Sequence, residues 1–439
     1  MVNIPHWPQI PLWKIPKTQS LDNTFKLLHE LGNPQEKLPP TIHIAGTNGK
    51  GSTLAMLKAI FMQSGYTVHS YTSPHLIEFN ERIKLHDKPI SDSHLYELLE
   101  ETKTAADKLK IIPTFFEGTT AAAYLAFSRT PADVLLLETG LGGRLDCTNA
   151  VSAPTLTIIT TISYDHMEIL GKTLKEIAAE KAGIIKKNVP CIIGPQTQEV
   201  YDVLINKCNE VGAPSFCYEY DFISEKMQNG FKYRSKNVDI DLPKPNLNGD
   251  HQILNASMAI AATTILNSDF KITTQKIKEG ITSTVWPGRL QYINQDRVKH
   301  IIGNNIKLYI DGAHNESGAM SLSYWAQQNL TGPVYMILGM TNNRDVEKFC
   351  SHFRNIVTQG VALSVESEPS SYSANILAQK AKGSGIEFVQ SSSLIEALNY
   401  ISLYTSFSNK NKDASAAIII TGSLFLISDF FKLEELTTL

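Results

Sequence analysis

Short apolar runs rich in leucine and β-branched residues, at 41–45, 133–138, 156–162 and 191–194, recur along the first half of the chain. Each gives way to a turn and then to a longer stretch with apolar residues at helical spacing, which predicts parallel strands covered by helices. A long alanine-rich helix is expected from near Gln252, and Val285-Trp286-Pro287-Gly288-Arg289 after it reads as a passage between domains. Beyond that point the alternation resumes. Strands are predicted at 307–310, 334–338, 360–365 and 416–420, and helices at 375–382 and 394–404, which makes a second α/β domain. There is no fixed-period repeat, and the polar stretch 406–415 reads as a solvated loop.

A length of 439 residues suits two independent cores. Apolar residues at 42% and charged residues at 19% belong to a folded globular chain rather than a disordered one. The net charge of -3 gives no broad attraction to nucleic acid or acidic membranes, so any anion must be bound by a local site. Cys147, Cys191, Cys208, Cys217 and Cys350 are widely spaced and contain no C-x-x-C pair, which argues against a disulfide framework or a zinc site and for a reducing, cytoplasmic compartment. Pro5, Pro8, Pro11 and Pro16 interrupt the start of the chain, so no signal peptide is expected. The apolar segment 414–431 is broken by Thr421, Gly422, Ser423 and Asp429 and reads as strand, turn and helix instead of a membrane span.

After the first strand comes Gly46-Thr47-Asn48-Gly49-Lys50-Gly51-Ser52, then a helical run through Ala55, Met56, Leu57, Ala59 and Ile60. Strand, glycine loop and helix in this order suit a phosphate: glycines turn backbone N–H groups inward, the helix start adds its dipole, and Lys50 adds charge, which points to ATP. The general pattern G-x-x-x-x-G-K-[ST] is not met, since Ile44 stands at its first glycine and Gly51 follows Lys50. The plain alternative is a glycine turn carrying one solvated lysine.

This loop, with Thr72-Ser73-Pro74-His75-Leu76 and Glu81-Arg82-Ile83 after it, resembles the folylpolyglutamate synthase/dihydrofolate synthase family of the Mur ligase superfamily. The resemblance continues through Glu138-Thr139-Gly140-Leu141-Gly142-Gly143-Arg144-Leu145-Asp146, Asp165-His166, Glu180-Lys181-Ala182-Gly183-Ile184 and Asp311-Gly312-Ala313-His314-Asn315. It spans nearly the whole chain. It implies an α/β fold in two parts: an N-terminal P-loop ATPase-like Mur ligase domain with a mostly parallel sheet, at 1–292, and a smaller Rossmann-like α/β domain, at 300–439. The nucleotide would lie between them.

The resemblance also implies roles for particular residues. Thr47, Asn48, Gly49, Lys50, Gly51 and Ser52 would bind ATP, joined by Asn255, Arg289, Asp311 and His314, whose plain alternatives include a helix-side amide for Asn255 and a surface cation for Arg289. Ser73, Glu138, His166 and Lys181 would form a site for two magnesium ions, with Lys181 carboxylated on Nζ to a carbamate. Glu138 ends an apolar strand, where ligands collect in α/β sheets; its alternative is a capping carboxylate, that of Ser73 an ordinary turn residue, and that of Lys181 a cation at a helix carboxyl end. Thr114, Phe115, Phe116, Glu117, Leu145 and Asp146 would receive the pteroate portion of the substrate, although core packing remains an alternative for the phenylalanines. Lys50, His166 and Lys181 are the catalytic candidates.

The implied activity is that of an ATP-dependent ligase that activates a pteroate or folate carboxylate as an acyl phosphate and transfers it to L-glutamate, acting on both dihydropteroate and reduced folates. A folylpolyglutamate synthase alone, a muropeptide ligase and a silent nucleotide-binding protein are the alternatives. A monomer is expected, with neither nucleic acid nor membrane as partner.

Overall fold

The computed structural model describes residues 20–408 and 415–433. The proline-bearing start of the chain, and with it the reading that no signal peptide is present, lies outside them. So do 409–414 of the expected loop, whose first residues are instead the end of a helix running to Ser408. The chain divides into two compact units: the described residues up to Asn246 with Gln252–Val285, and Leu247–His251 with the described residues from Trp286 onward.

The first unit carries β1 (Thr41–Ala45), β2 (Val68–Tyr71), β3 (Ile83–Leu85), β4 (Lys88–Pro89), β5 (Val134–Glu138), β6 (Leu156–Ile159), β7 (Cys191–Ile193) and β8 (Ser215–Cys217). They form one sheet in the order β4-β3-β2-β5-β1-β6-β7-β8, parallel from β2 to β8, with β3 and β4 antiparallel at the edge. β1 lies between β5 and β6, which explains why all five of its residues are buried. Its helices are α1 (Asp22–Glu30), α2 (Lys50–Gln63), α3 (Asp92–Leu109), α4 (Phe115–Arg129), α5 (Met167–Leu170), α6 (Leu174–Ala182), α7 (Gln198–Val211), α8 (His251–Ile265) and α9 (Thr274–Ser283).

Three helices set the site. α2 is apolar nearly all round and buried from Gly51 to Phe61 except at Lys58, with Gly280 of α9 so close that a Cβ there would stand 2.6 Å from Ile60 Cα. α4 begins at a capping box between Thr114 and Glu117, and its alanines pack with Tyr71, Leu135 and Leu137 of the sheet. α6 begins at a second capping box, Thr173 with Glu176, and packs with Ala45 and Ile159.

One expectation for this unit is corrected, and one element is added. β6 stops at Ile159 instead of running to Ile162, because the carbonyl of Thr161 is taken by the Thr47 N–H at 2.9 Å, outside the sheet ladder. The parallel sheet is also accompanied by an antiparallel one of β9 (Phe222–Met227), β10 (Gly230–Ser235) and β11 (Val238–Leu242), which apolar runs do not reveal. On β10 Phe231 and Tyr233 are buried among alternating charges, where Lys232 pairs with Asp239 at 2.9 Å and Arg234 with Glu225 at 2.7 Å.

The second unit has β12 (Gln291–Ile293), β13 (Ile306–Ile310), β14 (Val334–Leu338), β15 (Val357–Ala362), β16 (Phe388–Gln390) and β17 (Ala416–Thr421) in the order β12-β13-β17-β14-β15-β16, with β12 alone antiparallel among these described strands. Its helices are α10 (Asp296–Ile302), α11 (Glu316–Asn329), α12 (Val346–Ser351), α13 (Ala374–Ala381), α14 (Leu394–Ser408) and α15 (Leu424–Lys432). β15 lies earlier than the expected 360–365, since β14 ends at Leu338 and leaves 364–365 with no strand to pair. Residues 416–432 form strand, turn and helix, and no helix among the described residues is long and apolar enough to cross a membrane. All five cysteines are free and buried.

Candidate active site

The glycine loop leaves the carboxyl end of β1 and enters α2 at Lys50. Gly46 is pressed against Thr160, and Gly49 holds a positive φ of 90° with Asn255 Oδ1 where a side chain would project. The segment after β6 braces the loop: the Thr47 and Asn48 N–H groups donate to Thr161 O, Thr160 Oγ1 donates to Asn48 O at 2.8 Å, and Thr47 Oγ1 donates to Ser163 O at 3.1 Å. Gly51 and Ser52 are buried in the first turn of α2.

Two lysines converge on this loop. Lys50 Nζ donates to Gly46 O at 3.2 Å and Thr47 O at 3.3 Å, and lies 3.9 Å from Glu138 Oε1. Lys181 Nζ, buried in the last turn of α6, donates to the same Gly46 carbonyl at 2.8 Å rather than to the carbonyls of its own helix. Burial first, and the charge of Lys50 second, pull the Lys181 amine down to about 7. Lys181 is thus a buried amine turned to the phosphate loop from the last turn of its helix.

Glu138 is the last residue of β5, 5% exposed, and Ser73 follows β2, which pairs with β5 in parallel. His166 follows β6 with a φ of 49° and stands between two carboxylates, 3.8 Å from Asp165 Oδ1 and 3.9 Å from Glu168 Oε1. The four magnesium candidates therefore lie beyond the carboxyl ends of β2, β5 and β6 or, for Lys181, against the loop after β1. No group of three or more His, Cys, Asp or Glu side chains among the described residues forms a metal cage. A single buried carboxylate beside a phosphate loop suits magnesium, which takes few protein oxygens and completes its shell with phosphates and water.

At the pteroate-site candidates, Thr114 and Glu117 are the two halves of the α4 capping box: Glu117 Oε2 accepts from Thr114 N at 2.7 Å and Thr114 Oγ1 from Glu117 N at 3.2 Å. Phe115 and Phe116 are half-buried; Phe116 lies against Gly140 and Phe115 stands edge-on to Phe79 at 5.5 Å. Leu145 is half-buried, and Asp146 is buried with its oxygens accepting from Leu141 N at 2.8 Å, from Thr148 N at 3.0 Å and from the Thr148 hydroxyl. Arg82 escaped the sequence reading except as part of the Glu81-Arg82-Ile83 block. Its guanidinium lies over the rings of Phe79 and Phe115, at 5.4 and 5.3 Å, and its Nε donates to His75 Nδ1 at 2.9 Å. Thr160 was also missed, because the apolar run was read through it as strand.

Asn255 on α8 meets the phosphate loop at Gly49 and donates to Gln252 Oε1 at 2.9 Å. The second unit brings Arg289, Asp311 and His314 together. Asp311 accepts from Leu290 N at 2.7 Å and from Ala313 N at 2.8 Å, a Cβ on Gly312 would stand 3.1 Å from Arg289 Nη1, and His314 Nδ1 donates to Gly312 O at 2.9 Å. His251, which sequence reasoning left out, is held below the usual histidine range by burial first, with the charges of Asp311 and Asp250 opposing that fall and Arg289 adding to it.

A mostly parallel sheet whose glycine loop is backed by two lysines and a strand-end carboxylate defines a Mur-type ligase, and residues 44–263 match the Mur ligase middle domain. Residues 291–433 match the dihydrofolate synthetase C-terminal domain. The chain belongs to the dihydrofolate synthase/folylpolyglutamate synthase family. It is 32% identical over 430 residues to the dihydrofolate synthase/folylpolyglutamate synthase of Bacillus subtilis, covering 93% of each chain. The folylpolyglutamate synthase of Mycobacterium tuberculosis, complexed with ADP and AMPPCP, superposes with a TM-score of 0.83 at 27% identity, covering 94% of this chain and 95% of that one. A bifunctional folylpolyglutamate synthase/dihydrofolate synthase with Mn, AMPPNP and L-glutamate bound gives a TM-score of 0.80 at 26% identity, over 96% and 95%.

Proposed function

We propose that this chain is an ATP-dependent ligase joining L-glutamate to dihydropteroate and, in a second activity, to reduced folates. The observation that carries the reading is the meeting of Lys50 and Lys181 at one carbonyl of the glycine loop, with Glu138 beside them. A carboxylate does not condense with an amine at neutral pH, because oxide is a poor leaving group. A substrate carboxylate oxygen therefore attacks the γ-phosphorus of ATP, the bond to ADP breaks, and an acyl phosphate forms. The glutamate amine then attacks the acyl carbon, phosphate leaves, and the amine gives up a proton.

In this scheme Lys50 and the loop N–H groups hold the phosphates and offset charge that develops during transfer. Glu138, Ser73 and His166 would hold magnesium, which supplies further charge neutralisation when bound. Asn255, Arg289, Asp311 and His314 contribute to the nucleotide. Thr114, Phe115, Phe116, Glu117, Leu145 and Asp146 shape the pteroate end, where the rings offer flat apolar surface and the two carboxylates brace the surrounding backbone.

Lys181 is proposed to carry a carbamate. Its lowered pKa leaves a substantial share of free amine at neutral pH, and addition of carbon dioxide to that amine, with loss of one proton, turns a cation into an anion able to help bind a second magnesium. The five free cysteines favour a reducing, cytoplasmic compartment.

The test is incubation of the purified chain with magnesium-ATP, glutamate and, separately, dihydropteroate, reduced folate or a muropeptide, with products identified by mass. Glutamylated dihydropteroate and folate are expected; a muropeptide product alone, or ATP binding without any product, sinks the reading. Dihydrofolate synthesis without folate extension is the second reading, favoured by the C-terminal match to dihydrofolate synthetase. The reduced-folate reaction separates the two.

A further inference from the structure

His43 stands in the middle of β1, and its imidazole is 0% exposed. A histidine in a central strand flanked on both sides is out of keeping with the apolar residues around it, so its polar atoms need an account. Nε2 lies 2.9 Å from Thr148 Oγ1, whereas Nδ1 is buried and finds no hydrogen-bond partner among the described residues. Thr148 is itself fully buried, and its hydroxyl reaches Asp146 Oδ1.

A hydroxyl has one proton to give. Burial raises the Asp146 carboxyl, while the hydrogen bonds it accepts from Thr148 and Leu141 favour its ionised form; as a carboxylate it only accepts, so the Thr148 hydroxyl donates to it and must accept from His43. The imidazole is thereby the Nε2–H tautomer with Nδ1 bare, and burial, followed by the charge of Lys186, holds it neutral with a pKa of about 3. Its proton polarises a chain of donors that ends on Asp146. That carboxylate in turn ties Leu141 N to Thr148 N and closes the turn from Gly140 to Asp146.

The turn has little freedom elsewhere. Gly140 abuts the ring of Phe116, Gly143 abuts the carbonyls of Glu180 and Lys181 at 2.9 Å from where a Cβ would stand, and Tyr124 donates to Thr148 O at 2.8 Å from beneath. An Asp146 carboxylate that swings would therefore move the wall at Phe116 rather than relax locally.

We infer that His43 is a positioning residue, a neutral imidazole within the sheet that acts through Thr148 on Asp146 to fix the 140–146 turn against Phe116 and so the affinity for the pteroate end of the substrate. This rests on the proposed ligase reading. The His43 ring bonds only to Thr148, and the charge of Asp146 that acts on Lys181 stays in place in the variants below, so nucleotide affinity is expected to stay unchanged.

The experiment compares His43→Leu, His43→Gln and Thr148→Val with the parent, reading KM for dihydropteroate, KM for ATP and kcat, with thermal melts to establish folding. His43→Leu is expected to raise the dihydropteroate KM about tenfold, the loss of a hydrogen bond worth about 1.4 kcal/mol, with the ATP KM within twofold. His43→Gln, whose amide nitrogen can replace Nε2–H, restores the parent value, and His43→Leu adds nothing in the Thr148→Val background. Equal rises in both KM values, or no rise at all while the parent turns over, overturn the inference. Nitrogen-15 NMR of the full chain decides it apart from catalysis: an Nε2–H tautomer for His43 between pH 5 and 8 supports the relay, and an Nδ1–H tautomer ends it. A parent that ligates nothing refutes the ligase reading and with it the pteroate affinity, and is told apart from a failed relay by that NMR signature.

Discussion

Lys181 Nζ donates to the Gly46 carbonyl at 2.8 Å across 135 residues of sequence, and this bond ties the end of α6 to the first glycine of the phosphate loop. A buried amine held there beside Lys50 is pulled toward neutrality, the form that reacts with carbon dioxide. Lys181→Ala is expected to lose ligase activity by at least a hundredfold. A short added carboxylic acid should restore part of it by supplying the missing oxygens. Carbon-13 NMR of the parent in labelled bicarbonate should show a carbamate resonance that Lys181→Ala lacks; an active parent without the resonance and indifferent to bicarbonate removes the proposal.

Lys50 is half-buried and reaches loop carbonyls and, more distantly, Glu138, so its removal spares the core. Lys50→Ala is expected to abolish ligation while shifting the melting temperature by no more than a few degrees. A folded variant that turns over near the parent rate would show that phosphate charge is met elsewhere.

Gly49 and Gly65 offer a controlled pair, since both have positive φ, 90° and 88°, but of the two Gly49 alone faces a side chain, Asn255. Alanine at Gly65 meets open space and is expected to cost about 1–2 kcal/mol of stability through backbone conformation alone, with unchanged kinetics. Gly49→Ala adds the clash with Asn255 and should raise the ATP KM more than tenfold. Comparable kinetics for the two variants would deny Gly49 its place at the nucleotide.

Asp311 and Arg289 are neighbours with separable effects. Asp311→Ala leaves the N–H groups of Leu290 and Ala313 without their acceptor and is expected to lower stability by roughly 1.5–3 kcal/mol as well as weaken ATP use. Arg289→Ala should raise the ATP KM with little change in a denaturant melt. If Arg289→Ala leaves that KM alone, the guanidinium is a surface cation.

His43 also predicts an acid-side signature. Its folded pKa of about 3 lies below the unfolded value of 6.5, so the unfolded chain binds more protons between these values and stability falls as pH drops through that window. In His43→Gln the fall from pH 6 to pH 4 should be shallower by about 1.4 kcal/mol per pH unit. Urea melts at three pH values measure it; parallel curves for parent and variant would mean the imidazole is protonated in the fold.

Read alone, the sequence determined what is local. The apolar run at 41–45, the glycines after it and the helical spacing beyond give strand, loop and helix because those features act on φ, ψ and burial within a few residues. Glu138 at the end of an apolar run was legible for the same reason. The antiparallel sheet at 222–242 was not, since its charged positions pair across strands and leave only a period-two signal on β10. What tertiary structure alone decided is which distant groups meet. Lys181 at Gly46, Arg82 over Phe115, and His43 beside Thr148 depend on strand order and on how far each helix sits above the sheet. No spacing along the chain records that order, because a parallel sheet joins neighbours through crossovers that local pattern does not specify.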